Sequence, residues 1–175
     1  MRGGIPSSVL LAAALLLAGC TAPQPSASHS SSGDSAGGAS SSTAAPASAA
    51  VRDGTMEFVV KDVKRAQTVG DPADAAASAK AKGEFIIIEM TVRNISNETQ
   101  TYFTGSQKLI AGGTHYGDST DAELYLPNSE LTSQINPGST IDTAVAFDVP
   151  PGTAPDALEV HDFAFSPGAT VPIKH

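Results

Sequence analysis

The sequence predicts an all-β domain, built as an antiparallel sandwich, between Val51 and His175. Apolar residues alternate along several short segments of this region, which is the pattern of half-buried strands. Turn signals such as Gly112-Gly113 and Pro137-Gly138 separate the segments, at a spacing of about 8–12 residues. Only one stretch has a helical pattern. These observations indicate seven or so short strands with tight connections.

Two segments predict the first strands. TMEFVVKDVKRA places Met56, Phe58 and Val60 on one face. GEFIIIEMTVRN is the most apolar segment, and its opposite face starts with Phe85 and Ile87 before it becomes polar. This pattern fits a central strand that emerges toward solvent. The residues expected to share its buried face are Ile86, Ile88, Met90 and Val92.

The later segments predict the remaining strands. TYFTGSQKLIAGGTHYG indicates a strand and then a hairpin, because two glycines supply positive φ at its turn. NPGSTIDTAVAFDVPPG indicates a strand that starts after a Pro-Gly turn and ends at Pro150-Pro151, since proline cannot donate to a ladder. Its partly buried residues are Ile141, Val145, Phe147 and Val149. DALEVHDFAF and ATVPI supply the last strands, and nearly all aromatic residues fall at core-like positions.

One segment, GDPADAAASAKAKG, carries helix signals. Asp71 is a candidate N-cap, Pro72 takes the first helical position, Lys80 and Lys82 lie near the other end, and Gly83 follows as a stop. The segment predicts a short helix or helical loop. An Ala-rich loop without helix is the alternative, because isolated helices of this length are marginal.

Residues 1–19 are predicted to be a signal peptide. The apolar run Val9–Ala18 has about half of the ~20 residues needed to span a bilayer, and small residues follow it. The sequence Leu17-Ala18-Gly19-Cys20 resembles the bacterial lipobox. The resemblance implies cleavage after Gly19 and a diacylglyceryl thioether on Cys20, which is the single cysteine of the chain. The mature protein would then have no disulfide.

Residues 20–50 are predicted to form a disordered tether behind the lipidated cysteine. They consist almost entirely of Ser, Ala, Gly, Pro and Thr, without aromatic or branched aliphatic residues after Cys20. Such a composition cannot bury enough apolar surface to offset the entropy of ordering. A flexible tether of this length reaches about 30 Å, enough to hold a domain away from a bilayer surface.

Residues 51–175 contain all six Phe and all three Tyr of the chain. This region has a usual single-domain size, so we expect it to fold as a monomer without metal or disulfide. The formal net charge of the chain is −8, which argues against nucleic acid as a partner and against electrostatic membrane binding. Membrane attachment is therefore expected through the lipid alone.

Three stretches of the domain resemble a telokin-like domain of unknown function, common in bacterial lipoproteins and secreted proteins. The first is the long apolar strand that ends at Val92-Arg93-Asn94. The second is the turn Asn136-Pro137-Gly138, and the third is Ala146–Pro150. The resemblance implies an immunoglobulin-like sandwich, related to secreted mycobacterial antigens, and it transfers no catalytic residues. The immunoglobulin disulfide and its packed Trp are both missing from this domain. The Ala-rich insert Ala73–Lys82 departs from the family pattern.

Candidate reactive residues are few. His115 and His161 are weak metal-ligand candidates, each followed within three residues by an aspartate, and solvated loop histidines are the simpler interpretation. Asp118, Asp121 and Glu123 lack the spacing of a calcium loop, so we expect a solvated turn with a short helical piece. No cofactor is expected.

These observations favour a non-enzymatic module that is anchored on the extracytoplasmic face of the cell membrane and binds an envelope or host protein. The alternative is a lipoprotein that binds a small ligand or a metal. A concave pocket with convergent polar groups would favour the ligand. A filled sandwich with an exposed apolar patch would favour the interaction module.

Overall fold

The computed structural model describes residues 48–174. The signal peptide, Cys20 and the tether up to residue 47 therefore lie outside the described residues. Two 3-10 turns, Ala75–Ala77 and Thr104–Ser106, accompany the regular elements. These elements, in chain order, are β1 (Val51–Asp53), β2 (Met56–Gly70), β3 (Ser78–Asn94), β4 (Gln100–Phe103), β5 (Lys108–Ala111), β6 (Thr114–Gly117), α1 (Thr120–Glu123), β7 (Thr132–Ile135), β8 (Thr140–Val149), β9 (Ala157–Val160) and β10 (Ala169–Pro172).

The strands form a four-stranded sheet in the order β1-β2-β3-β8, a second four-stranded sheet in the order β10-β9-β5-β6, and the pair β4-β7. Every pairing is antiparallel. The core contains apolar side chains from all three groups of strands. The predicted all-β sandwich without a disulfide is confirmed.

The alternation in β3 decides how the first sheet packs. Its predicted inner residues, from Ile86 to Val92, are at most 1% exposed and belong to the main core, as does Phe147 of β8. Phe85 and Ile87 on the opposite face pack in a smaller cluster with Ala122 of α1. The prediction that this face begins apolar and becomes polar is confirmed, because α1 covers only its first part.

Of the two predictions for residues 71–83, a short helix or helical loop and an Ala-rich loop without helix, the structure contains a helical loop reduced to one turn. Only the 3-10 turn Ala75–Ala77 forms there, and β3 begins at Ser78 and pairs with the end of β2. Val69 and Ala81 are buried in the smaller cluster, next to α1. Helix propensity is a weak preference. The hairpin hydrogen bonds and this burial therefore outweigh the preference of the alanines.

The turn predictions hold where glycine was required. Gly112 and Gly113 have φ of 55° and 77° between β5 and β6, and Gly138 has φ of 73° before β8. Strand β2 is longer than expected because two register shifts, after Val60 and after Ala66, interrupt its alternation without ending its pairing with β3.

Candidate functional site

Exposed apolar side chains gather at one end of the sandwich. Of the five large hydrophobic residues that are exposed in the described part of the chain, four lie here: Ile95, Phe103, Phe163 and Phe165, with exposures of 37, 49, 55 and 91%. We call these four residues the apolar end. The fifth, Leu124 at 64%, lies beside α1. Large aromatic side chains in such a group are typical of binding surfaces.

The most exposed part of the apolar end is a tight turn between β9 and β10. The backbone N–H of Ser166 donates to the carbonyl of Phe163 at 2.9 Å, and the Ser166 hydroxyl donates to the same oxygen at 2.9 Å. Ser166 itself is buried, whereas Phe163 and Phe165 point into solvent. The Phe163–Ser166 turn is therefore held by two hydrogen bonds between its first and last residues, and it exposes two aromatic rings.

Two buried carboxylates fix the base of this turn. Asp53 accepts the backbone N–H groups of Asp162 at 2.8 Å and of Gly168 at 3.1 Å, one on each side of the turn. Asp162 in turn accepts the N–H and the hydroxyl of Thr55 at 2.8 and 2.9 Å. At Gly54, φ is +54° and an added Cβ would lie 2.3 Å from the Asp162 carboxylate, so the β1–β2 turn requires glycine.

The buried amide of Gln107 joins Phe103 to the same region. Its Nε2 donates to the carbonyls of Phe103 at 3.1 Å and His161 at 3.2 Å, and its Oε1 accepts the N–H of His161 at 2.8 Å. The Phe103 ring lies over Gly105, where an added Cβ would come within 2.7 Å of it. Gln107 thus holds the end of β4 beside the end of β9.

Ile95 is linked to the group through the β1–β2 turn. Its N–H donates to the Thr55 carbonyl at 2.9 Å, and Thr55 is bound to Asp162 as described above. The backbone segments that carry the four residues of the apolar end are therefore connected to one another by hydrogen bonds.

The two metal candidates, His115 and His161, meet at one carboxylate. Glu159 lies between them, with its Oε1 2.7 Å from Nε2 of His161 and its Oε2 3.5 Å from Nδ1 of His115. The other ring nitrogen of buried His161 faces the Ser166 carbonyl at 3.2 Å. Within residues 48–174, no three His, Cys, Asp or Glu side chains are arranged to hold a metal ion. The structure thus engages His161 as a support of the turn.

The acidic cluster differs from the prediction at one residue. The short helical piece is confirmed as α1, with Ser119 as its N-cap, but Glu123 is 1% exposed rather than solvated. Its Oε1 accepts the N–H of Ala146 at 3.2 Å on the edge of β8, because α1 packs against that edge. Exposed Asp121 fits the prediction.

The environment of Glu123 changes its protonation. Burial raises its pKa from 4.5 to about 7, the nearby charge of Asp118 adds to this rise, and the hydrogen bond from the backbone N–H of Ala146 opposes it. Burial also raises the pKa of Tyr102 well above its ordinary value. Oε2 of Glu123 and the hydroxyl of Tyr102 are both buried without a hydrogen-bond partner. This carboxyl accordingly takes up a proton near neutral pH.

A second candidate surface is an open groove of about 610 Å³ beside α1. Its charged residues have both signs, and the carboxylate of Asp148 already accepts the backbone N–H groups of Lys82 and Gly83 at 2.9 and 3.0 Å. The groove therefore offers mixed charge, and one of its carboxylates is already engaged by the backbone. Among its lining residues are Lys80, Lys82, Asp118, Asp121, Leu124 and Tyr125.

The apolar end was not predicted from the sequence. HDFAF alternates like a strand, so Phe163 and Phe165 were expected at core-like positions, yet β9 ends at Val160. The Ser-Pro-Gly sequence that follows, at residues 166–168, is a turn signal that indicated an earlier strand end. The pattern around Phe103 indicated no face for this residue, which ends β4 at 49% exposure.

The anchoring residues predicted from the sequence, Leu17-Ala18-Gly19-Cys20, lie outside the described residues. In the part of the chain that the structure describes, none of the helices is long and apolar enough to cross a membrane.

One of the similar solved structures shares the fold of this domain. The yjhA protein of Bacillus subtilis is similar, with a TM-score of 0.53 and 18% identity over 68% of this chain and 83% of that chain. A functionally unknown protein of Listeria monocytogenes EGD-e has a TM-score of 0.48 and 14% identity, over 75% of this chain and 86% of its own. A candidate lipoprotein of B. subtilis, ycdA, has a TM-score of 0.44 and 17% identity, over 63% of this chain and 31% of its own. Only the likeness to yjhA, whose TM-score is above 0.5, bears on the fold.

No curated protein matches the sequence. A family model does match, and it is described as "Domain of unknown function (DUF4352)". The match runs from residue 48 to residue 170, which is nearly all of the sandwich. The resemblance to a domain of unknown function is thereby confirmed, and the chain belongs to the DUF4352 family.

Proposed function

We propose that this protein is a lipid-anchored module of the extracytoplasmic membrane face that binds another protein through its apolar end, without catalysing a reaction. The observation that carries the proposal is the display of Phe163 and Phe165 on a turn fixed by buried hydrogen bonds. The lipid anchor comes from the resemblance of residues 17–20 to a lipobox. The finer relation to mycobacterial antigens remains a prediction from sequence.

The exposed rings provide the affinity in this proposal. Burial of one Phe side chain contributes about 1.5–3 kcal/mol. Aromatic residues near the centre of an interface often dominate its energy, and loss of both rings would weaken binding by roughly a hundredfold or more. In the free protein these rings remain in water at an energetic cost, which a contact surface would recover.

Preorganisation reduces the cost of binding. Asp53 and Gln107 are both buried. Asp53 accepts the backbone N–H of Asp162, and Gln107 donates to the carbonyl of His161, so both hold the backbone segment beneath the exposed rings. A contact loop that is already ordered loses less conformational entropy when it binds. This support distinguishes the Phe163–Ser166 turn from a loop with scattered apolar residues.

Charge favours a protein over the bilayer as the partner. The chain has a formal net charge of −8, so an anionic lipid surface would repel it. A partner protein with an apolar pocket has no such penalty. The lipid anchor would keep the domain at the membrane surface, and the predicted tether would raise its effective concentration toward partners on that surface.

In-cell crosslinking tests the proposal. The Phe163→Ser/Phe165→Ser double variant removes two exposed rings, and Leu124→Ser is the matched control because it removes an exposed apolar side chain elsewhere. We expect a discrete protein adduct in the wild type and in the control, and its loss in the double variant. Equal adducts in all three chains would contradict the proposal.

The alternative ligand function has its own test. A metal site would have to use His115 and His161. Within residues 48–174 these two are not arranged with a third ligand to hold a metal ion, so we expect purified chain to bind no zinc or copper stoichiometrically at micromolar concentration. A one-to-one complex that is lost in the His115→Ala/His161→Ala double variant would replace the interaction module with a metal-binding function.

A further inference from the structure

The groove beside α1 lies between two segments of the fold. One is the start of β3, residues 78–82, and the other leads from Gly117 into α1. Tyr125 connects the two sides, because its hydroxyl donates to the carbonyl of Ala76 at 3.3 Å. The volume of about 610 Å³ falls within the range of pockets that bind small organic ligands.

Helix α1 is fixed on the edge of β8, so this side of the groove is part of the fold. The backbone N–H of Ser119 donates to the carbonyl of Ala146 at 2.7 Å, and Glu123 accepts the N–H of Ala146 at 3.2 Å. These two bonds occupy both backbone groups that Ala146 directs away from β3. The groove therefore exists before any ligand binds.

Backbone groups of two strand edges face the groove. On an antiparallel strand, residues two apart direct their backbone groups to the same side. Asp148 follows Ala146 by two residues, so its N–H and carbonyl lie on the side that α1 occupies. In the β5–β6 hairpin, the pair Ala111–Thr114 beside the two-residue turn exchanges hydrogen bonds, so the same alternation directs the backbone groups of Gly117 away from β5. Both edges line the groove, which therefore offers donors and acceptors to an extended chain.

Unpaired charges of both signs lie on the two sides of the groove. Lys80 and Lys82 of β3 are exposed, and within residues 48–174 neither side chain forms an ion pair or a hydrogen bond, whereas all three basic side chains of β2 are ion-paired. On the α1 side, the carboxylate of Asp121 is also without a partner in the described chain. The carboxylate of Asp118 accepts the hydroxyl of Thr120 at 3.0 Å. The groove thus presents ammonium groups on one side and carboxylates on the other.

The groove also has an apolar part. Leu124 is 64% exposed, and Phe85 and Tyr125 contribute to the same lining. Among the large hydrophobic residues that are exposed in the described part of the chain, Leu124 is the one outside the apolar end. An apolar side chain of a bound ligand would remove this surface from water.

We propose that the groove binds a short extended peptide with free ends. A ligand with one carboxylate, one ammonium group and a peptide backbone between them matches all of these groups at once. Its carboxylate lies against Lys80 and Lys82, and its ammonium group lies against Asp118 and Asp121. One apolar side chain packs on Leu124, and the two strand edges bind the peptide backbone. The site is separate from the apolar end, so it does not rest on the proposed function.

The tripeptide Ala-Leu-Ala is the probe that tests this site. It is titrated into the chain that begins at Cys20, with Cys20→Ser to prevent lipidation, and the backbone amide signals are followed by NMR. We expect saturable shifts at Gly117, Leu124 and Asp148, with a Kd of about 1 mM or tighter, and none at the apolar end. The same tripeptide with an acetylated amino end and an amidated carboxyl end should bind at least about tenfold more weakly, because it lacks both charges.

Paired substitutions assign the two ends of the peptide. Lys80→Gln/Lys82→Gln should weaken binding of Ala-Leu-Ala by about tenfold, because it removes both ammonium groups. Asp118→Asn/Asp121→Asn should weaken it by a similar factor through loss of the carboxylates. Lys108→Gln is the matched control, since it removes an exposed lysine of β5 outside the groove, and it should keep the wild-type affinity. An unchanged amide spectrum outside the groove checks that each variant is folded.

Three results would overturn the proposal. One is the absence of saturable shifts in the groove up to about 10 mM peptide, and another is equal affinity of the free and the blocked tripeptide. The third is wild-type affinity in either double variant. None of these results would alter the crosslinking outcome at the apolar end, so the two proposals can fail separately.

Discussion

The backbone N–H of Asp162 donates to the carboxylate of Asp53 at 2.8 Å, across 109 residues of sequence. The same carboxylate accepts from Gly168 at 3.1 Å, so one buried side chain holds both ends of the segment that carries Phe163 and Phe165. The first strand of the domain thereby positions the last turn. This relationship makes the apolar end part of the folded framework rather than an appended loop.

Asp53→Ala should destabilise the domain. Hydrogen bonds to a buried charged group contribute about 1.5–3 kcal/mol each, and this change removes two. We expect the free energy of unfolding to fall by about 3 kcal/mol in urea titrations. Asp121→Ala, at an exposed position, should change it by less than about 0.5 kcal/mol. Equal effects of the two variants would refute the structural role of Asp53.

Phe147 and Phe165 provide the same substitution at opposite extremes of burial. Phe147 is 0% exposed and Phe165 is 91% exposed. Phe147→Ala should cost about 3–5 kcal/mol in unfolding free energy, because it leaves a cavity in the core. Phe165→Ala should cost less than about 0.5 kcal/mol. A large loss of stability in Phe165→Ala would show that this ring serves the fold instead of a partner.

Glu123 should make stability depend on pH. Its pKa is raised by burial from 4.5 to about 7, so between these values the folded domain holds a proton that the unfolded chain has released. The free energy of unfolding should therefore fall as the pH rises through this window and level off above about pH 7. The loss is at most about 3–4 kcal/mol, since the shift spans about 2.5 pKa units and one unit corresponds to about 1.4 kcal/mol.

Urea titrations at pH 4.5, 6 and 8 check this dependence. Glu123→Gln cannot ionise and keeps an oxygen for the N–H of Ala146, so the slope across the window should be smaller in this variant. Glu98→Gln, at an exposed position, should keep the wild-type slope. An unchanged slope in Glu123→Gln would assign the pH dependence to other groups.

Cys20 should be the membrane attachment point. Cys20→Ala is expected to abolish lipid labelling and to leave the signal peptide uncleaved by the lipoprotein peptidase. A chain that starts at Ser48 lacks the proposed lipid attachment, and its negative net charge disfavours an anionic lipid surface, so we expect cell fractionation to find it released from membranes. Retention of that chain on membranes in high salt would show a second mode of attachment.

The sequence was informative where burial is local. In β3, alternate residues of one continuous segment show which positions share each face of the strand. The buried face from Ile86 to Val92 and the apolar start of the opposite face at Phe85 and Ile87 could therefore be predicted. The glycine turns were predictable for the same reason, since positive φ is required at the glycine itself.

The candidate site depended on partners far along the chain. The end of β9 is fixed by Asp53 and Gln107, and the alternation of residues 161–165 contains no sign of them. The early start of β3 at Ser78 was missed similarly, because the helical preference of residues 78–80 is overridden by pairing with β2. Glu123 was expected in solvent, and this expectation failed because its burial comes from β8 and not from its neighbours in sequence.

Site-specific photocrosslinking tests the central claim most directly. A photoreactive phenylalanine analogue is placed at Phe165 in one chain and at Leu124 in another, both exposed in the free protein. The account predicts a discrete protein adduct in cells from position 165 and none of that mass from position 124. Adducts from position 165 to lipid alone, or the same protein adduct from both positions, would contradict the claim that the apolar end is a protein-binding surface.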